Sequence, residues 1–441
     1  MITTPTLNAL ANQFDQFTAL GEQVETQYRR CNYNPADLPA IAAEALAQFD
    51  GEFSFDTAAL ADFFATTFIP QQPGLRFSDL PVTVFRQREF YIEILIWTKS
   101  TTSVHQHGFS GAFKVLQGSS IHTTFEFQPQ REISPDCILG AVIPQQTRYL
   151  TKGATQQIHP GSEGLIHSLY HLDYPSLTLV VRTHGHLKHQ PQYTYYRPCF
   201  AINQFQLEKD DLVVMYAKLL HVANQIDRDS VMGVWLDNIA QFDFPRLAYL
   251  FFGNLGYFQD AADQQAFLDK ARLTHGDLID SLQEAAEFKK KLGHISQSRT
   301  LLTDPDLRYF LALLMNAKDR AALLDMVAVR YLDQDPLECC ARWLARLSQG
   351  KQDTAKRLAQ VVQQANVGAL HLGRKLGVAL PADLPEGATP ELFAAFMRHG
   401  ANSEGLAALQ QQYPDIPIAD VQRCLERLAT LDELFCLRQD G

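Results

Sequence analysis

Between residues 80 and 200 the chain carries short segments rich in β-branched and aromatic residues, separated by Gly, Pro and Asn/Asp/Ser clusters. YIEILIW (91–97), GAFKVLQG (111–118), IHTTFEF (121–127) and SLTLVVRT (176–183) are the clearest, and several alternate with period two. This texture constrains the fold most, because many short strands with turn signals between them build a barrel or a sandwich. Helical texture stands on either side. NPADLPAIAAEALAQFDG offers Asn34 as a cap, Pro35 at the first helical position and Gly51 just past the end. TAALADFFATTF then repeats apolar residues at helical spacing. From about residue 205 the texture is helical to the end. TPELFAAFMRHG (389–400) has Thr389 as cap, Pro390 first, Glu391 in the first turn, His399 in the last and Gly400 as the stop. TDPDLRYFLALLMNAKD (303–319) is similar. TDPDL (303–307) and DQDPL (333–337) start helices 30 residues apart, which hints at stacked helical pairs, but two instances do not make a repeat.

The expected architecture is α+β: helices over 1–75, a small β-barrel over 76–200 and an all-α region over 201–441. Composition narrows the function classes. A net charge of −11 without a Lys/Arg block argues against nucleic acid as a partner. No run reaches the roughly 18 apolar residues of a membrane helix, and MITTPTLNAL lacks the basic and apolar regions of a signal peptide. Seven scattered cysteines without a CxxC point to reduced thiols in a cytoplasm and exclude a cysteine zinc site of the usual spacing.

The histidines are concentrated. Of 14 in the chain, nine lie between 105 and 189, and histidine is the commonest metal ligand. His105 and His107 stand at i and i+2, so on a strand both point to one side and can share one ion. A third ligand has to come from a strand distant in sequence, and PGSEGLIHSLYH (160–171) offers His167. His122 alternates away from Phe125 and Phe127 and can also face the barrel. RTHGHLKH (182–189) reads as a solvated loop with adventitious metal-binding capacity. Tyr170, Tyr174 and Tyr193 to Tyr196 can line a pocket, though core packing is the default for aromatics.

HQHGFSGAFKVLQG resembles the first motif of the cupin superfamily, and GLIHSLYH resembles the second, with Gly164 as its glycine. The resemblance implies a cupin β-barrel with His105, His107 and His167 as metal ligands. His171 stands where many cupins have asparagine. The acidic ligand position falls on Gly111, so the fourth protein ligand is missing. Three histidines without the acid resemble the cysteine dioxygenase (thiol dioxygenase) branch. Trp97 eight residues before His105, the wording FKVLQG (113–118) and the preceding helices agree with it. The resemblance covers about residues 30–185.

That branch implies iron(II), a small thiol substrate, O2 as co-substrate and a sulfinate product. It also implies an arginine on an early strand for the substrate carboxylate, here Arg86 or Arg88, with Arg86 preferred by alignment of the following strand. The branch's late strand carries Ser, His and Tyr at alternate positions. Here they are Thr178, Val180 and Arg182, so the relay histidine and the tyrosine are absent. The crosslinking cysteine is absent too, with Gly111 and Ala112 in its place. Arg182 puts a fixed charge in the pocket instead, as a competing anion anchor and catalytic candidate. The first reading is therefore an iron(II) oxygenase acting on a small thiol or other small chelating anion. The second is a non-oxidative metal- or ligand-binding sensor whose helical region binds a partner or makes a dimer. A third keeps the metal, as zinc, nickel or manganese, but changes the reaction to isomerisation or hydrolysis, since affinity alone does not select iron.

Overall fold

A computed structural model describes residues 4–53, 55–71, 78–98, 102–161, 164–185, 191–226, 228–258, 261–318, 320–349 and 411. Three helices come first: α1 (Thr4–Arg30), α2 (Leu38–Gln48) and α3 (Thr57–Thr66). Eleven strands follow: β1 (Leu80–Arg86), β2 (Phe90–Trp97), β3 (Val104–His105), β4 (Gly111–Gln117), β5 (Ser120–Ser134), β6 (Cys137–Leu150), β7 (Thr155–Ile158), β8 (His167–His171), β9 (Ser176–Thr183), β10 (Thr194–Tyr196) and β11 (Phe200–Ile202). The described chain beyond them is helical: α4 (Gln204–Leu207), α5 (Asp211–Ile226), α6 (Arg228–Asn238), α7 (Phe244–Gly253), α8 (Ala261–His275), α9 (Leu278–Leu301), α10 (Pro305–Asn316), α11 (Arg320–Arg330) and α12 (Pro336–Gln349). The fold is thus α+β, with helices before and after a β core, as the texture predicts. No described helix is long and apolar enough to cross a membrane.

The strands form a five-stranded sheet in the order β1-β2-β9-β4-β7 and a closed barrel in the order β10-β11-β6-β5-β8-β3. In the first sheet, period two separates two environments. Ile92, Ile94 and Ile96 of β2 and Leu177, Leu179 and Val181 of β9 belong to a core shared with Phe17, Leu20 and Val24 of α1, Leu38 and Leu46 of α2, and Phe63 of α3. The alternate residues Leu95, Trp97 and Val180 join Phe113 and Val115 of β4 and Leu169 of β8 in a second core. Both faces are covered, so β2 and β9 are buried along their whole length. That is why YIEILIW is nearly continuous in apolar residues despite its antiparallel neighbours. Lys114 of β4 extends to the helical side and donates to the carbonyls of Leu46 and Phe49 at the C-terminal end of α2, where a cation complements the helix dipole.

Several local expectations shift. The second helix starts at Leu38, three residues after Pro35. Asn34 Oδ1 accepts from the Ala36 amide at 3.3 Å, and Asn34 Nδ2 donates to Asp37 at 2.9 Å, so residues 34–37 close a turn. Asp37 then flanks the helix and Pro39 occupies its first turn. β5 runs to Ser134, well beyond IHTTFEF, because it pairs with the long β6, whose CILGAVIPQQTRYL alternates too weakly to read as one strand. α10 starts as expected: Asp304 accepts from the amides of Asp306 and Leu307, with Pro305 in the first turn. Asp335 likewise accepts from Glu338 N ahead of α12. The segment 389–400 lies outside the described residues.

The chain divides into two compact units. One comprises Met1–Ile143 with Leu150–Ala285, and the other Pro144–Tyr149 with Ala286–Gly441. The residues of the site described next belong to the first.

Candidate metal centre

β3 is only two residues long, but its register places two histidines of the candidate set together. His105 is the direct cross-strand partner of His167 on β8, and on its other side it pairs with Thr194 of β10. Gln106 is held by Pro191 and Tyr195: its amide nitrogen donates to Pro191 O at 2.7 Å and its oxygen accepts from the Tyr195 hydroxyl. Alternation then brings His105 and His107 to one side. The chain after His107 is pinned by Gly161 N donating to His107 O at 3.0 Å and Gly108 N donating to Gln192 at 3.0 Å. Gly164 is needed for close approach: a Cβ there would lie 2.2 Å from His159 O.

One ligand atom from each of His105, His107 and His167 lies within 4.8 Å of the others, and all three residues are buried. His107 Nε2 and His167 Nε2 are 2.9 Å apart. Two ligands at right angles, each about 2.1 Å from one ion, would be separated by about 3 Å. His105 Nδ1 lies 2.8 Å from the carbonyl of Ser103. Donation to that carbonyl puts the proton on Nδ1 and the lone pair on Nε2. Burial pushes the His105 pKa down to about 4, with the Ser103 bond opposing. Burial also holds His107 and His167 well below the usual imidazole range, and the neighbouring imidazoles add to it. Three neutral, convergent imidazoles fit a divalent transition-metal ion.

A fourth imidazole stands behind them. His122 Nε2 is 2.8 Å from His167 Nδ1. When His167 presents its Nε2 lone pair, its Nδ1–H donates to His122, the outer contact that orients a ligating histidine. β5 pairs with β8 so that His122 lies opposite Leu169 and Thr124 opposite His167. Alternation alone placed His122 on the barrel side; only the register ties it to the centre. His171, two further alternations along β8, is not part of it. Its ring stacks under Trp97 with centroids 4.6 Å apart, and its Nδ1 meets Ser120 Oγ at 3.0 Å and Ser176 Oγ at 3.1 Å. Burial pushes its pKa down to about 3.

The first sheet supplies the opposite wall. Across β2, β9 and β4, Tyr91, Arg182 and Gly111 form one row, and Glu93, Val180 and Phe113 the next. Gly111 stands at the expected acidic ligand position. A Cβ there would lie 2.1 Å from Val181 O and 2.9 Å from Arg182 Cα, so the β9 backbone excludes any side chain. Arg182, 8% exposed, pairs with Glu93, 1% exposed, at 3.2 Å. Its guanidinium lies over the Phe109 ring, 3.4 Å from the centroid. Burial raises the Glu93 carboxyl pKa, and Arg182 opposes it. Glu93 had no signal in the sequence beyond a charge inside an apolar strand. The other two arginines stand apart. Arg86 is exposed at the end of β1 and donates to Pro70 O at 3.4 Å. Arg88, in the turn, has a side chain 94% exposed and pairs with Glu89. Arg86 pairs with Tyr91 and so continues the row of Arg182. But β1 is the edge strand, two strands from β9, and its exposed end holds Arg86 outside the cavity lining, as the turn does Arg88. His184 is half-buried and lies 3.2 Å from Gln87 O, and His186 and His189 lie outside the described residues.

His105, His107 and His167, with Glu93, Arg182, Trp97, Phe109 and Phe113, line a partly open cavity of about 30 Å³ with a mainly apolar wall. That is room for about two waters.

No family model matches the chain, and no curated protein matches it. Solved structures are similar at a low level. Hydroquinone 1,2-dioxygenase from Sphingomonas sp. TTNP3 is 13% identical, over 25% of this chain and 68% of that one, with a TM-score of 0.19. DMSP lyase DddQ from Ruegeria pomeroyi DSS-3 is 15% identical, over 41% of this chain and 97% of that one, with a TM-score of 0.22. Likeness at this level carries no statement about activity, so the chemistry has to come from the site's own residues.

Proposed function

We propose that the chain is a mononuclear iron(II) oxygenase of the cysteine dioxygenase-like (thiol dioxygenase) kind, adding O2 to a small thiol or other small chelating anion. His105, His107 and His167 would hold the metal. The observation that carries this reading is the convergence of three buried, neutral imidazoles on a small, mainly apolar cavity that also contains a guanidinium. Iron(II), when bound by three imidazoles, supplies open coordination positions where O2 and a chelating substrate meet. The chain's own residues do the rest. Burial keeps the imidazoles unprotonated at neutral pH. Arg182 orients an anionic group through its planar fork, although Glu93 already shares its charge, so a substrate anion competes with that carboxylate. Trp97, Phe109 and Phe113 exclude water, which strengthens every polar contact inside.

The test is oxygen uptake by protein loaded anaerobically with iron(II), given small thiols and non-thiol chelating acids, with His107→Ala as control. Substrate-dependent uptake that disappears in the variant is the expected result. Stoichiometric iron with no uptake above the variant would overturn oxygenation while leaving the metal centre intact.

A second reading is a non-oxidative metal-binding protein with a helical partner surface. One observation favours it: Leu212, Met215, Leu219, Val222 and Ile226 of α5 are exposed at alternating spacings of three and four, a seam suited to a facing helix. It expects metal binding without uptake.

A further inference from the structure

We propose that Glu93 takes up the proton of a protic ligand entering the three-histidine cavity, an inference that rests on the metal-centre reading above. Glu93 lines the same cavity as His105, His107 and His167. One carboxylate oxygen accepts from Arg182 Nη1 at 3.2 Å. The other, Oε2, is buried and receives no hydrogen bond from the described residues. A buried acceptor left unmade is costly, and an entering donor removes that cost. Glu93 and the three imidazoles line one and the same cavity, so an occupant of it has both on its walls.

Other proton acceptors are ruled out one by one. Thr178 and Val180 hold the neighbouring inner positions of β9, and neither is a base. Arg182 offers donors only and has no acceptor. The three imidazoles would direct their lone pairs at a bound ion. His171 is sealed beneath Trp97 and lines no part of the cavity. The titratable groups around Glu93 are Arg182 from β9, Tyr91 from its own strand, and His105, His107 and His167 across the cavity. Burial raises the carboxyl's proton affinity, the direction that suits a proton acceptor. The step balances without oxidant or reductant. The ligand's X–H bond breaks, the proton bonds to Oε2, and the electron pair stays on X, facing the imidazoles.

The experiment uses the full chain loaded with cobalt(II), its metal content measured first. Two small probes are titrated calorimetrically at neutral pH, in buffers of different ionisation enthalpy, to count protons delivered to the bulk. Hydrogen cyanide arrives protonated; azide arrives as an anion. Wild type is expected to release almost no proton on binding cyanide. Glu93→Gln is expected to release about one proton and to bind cyanide about tenfold more weakly at that pH. Azide binding should release none in either and change little in affinity. Glu93→Gln/Arg182→Met leaves no lone buried charge if the single variant fails to fold, and should also release the proton. A full proton released by wild type, or none by the variants, overturns the proposal, as does exclusion of cyanide where azide binds. Wild type that holds no cobalt overturns the metal-centre reading and this inference together.

Discussion

His122 and Gly111 act through what they do to a neighbour. His122 is fully buried and fixes the ring of His167 through one nitrogen pair. Loss of such an outer contact typically costs about 10–100-fold in metal affinity. His122→Ala is therefore expected to bind iron(II) or cobalt(II) in that range more weakly, read by competition with a chromophoric chelator. Unchanged affinity would mean that His167 is held by its strand alone. Gly111 shows the opposite kind of constraint. The obstacle facing a Cβ there is backbone, which cannot rotate aside. Gly111→Ala is expected to destabilise the protein by about 1–3 kcal/mol in urea unfolding. Gly111→Glu is not expected to provide a fourth ligand, because the β9 backbone occupies its path.

At the scale of elements, α5 separates buried from exposed positions within one helix. Leu220 is 1% exposed and its neighbour Leu219 is 51% exposed. Leu220→Ala is expected to cost about 2–5 kcal/mol, whereas Leu219→Ala should stay within about 0.5 kcal/mol. Denaturant midpoints of the two variants check this directly, and equal losses would show that the seam is covered in solution. The strands show a different economy. β9 divides into Leu177, Leu179 and Val181, which pack against the N-terminal helices, and Thr178, Val180 and Arg182, which face the cavity. SLTLVVRT was legible as a strand with both sets assigned to opposite faces. β6, β7, β10 and β11 were not legible, because short or weakly alternating segments take their conformation from pairing partners.

At the scale of the whole molecule, the buried histidines make stability depend on pH. The unfolded chain takes up protons near the ordinary imidazole value of about 6.5, whereas His105 and His171 resist them down to about 4 and about 3. Between those limits the unfolded state binds more protons, so stability is present above about 6.5 and is lost as pH falls, by up to about 1.4 kcal/mol per unit for each histidine. The melting temperature of metal-free protein should fall between about pH 6.5 and 4. His171→Asn should flatten that fall, and an unchanged slope would discard the assignment. Much of the centre was readable beforehand. Period two alone sets His105 and His107 on one side of a strand, and the spacing of turn and cap residues sets an α+β chain with a β core between helical regions. The rest depends on partners brought from far along the chain. His167 opposite His105, His122 behind His167 and Glu93 against Arg182 are consequences of strand register. Register comes from which faces the assembled sheets bury, a property no single strand possesses. Which residues could ligate is written in the residue types and their spacing; that Arg182, and neither Arg86 nor Arg88, lines their cavity follows from strand order, because β9 runs inside the sheet between β2 and β4 whereas Arg86 ends the edge strand in the same row.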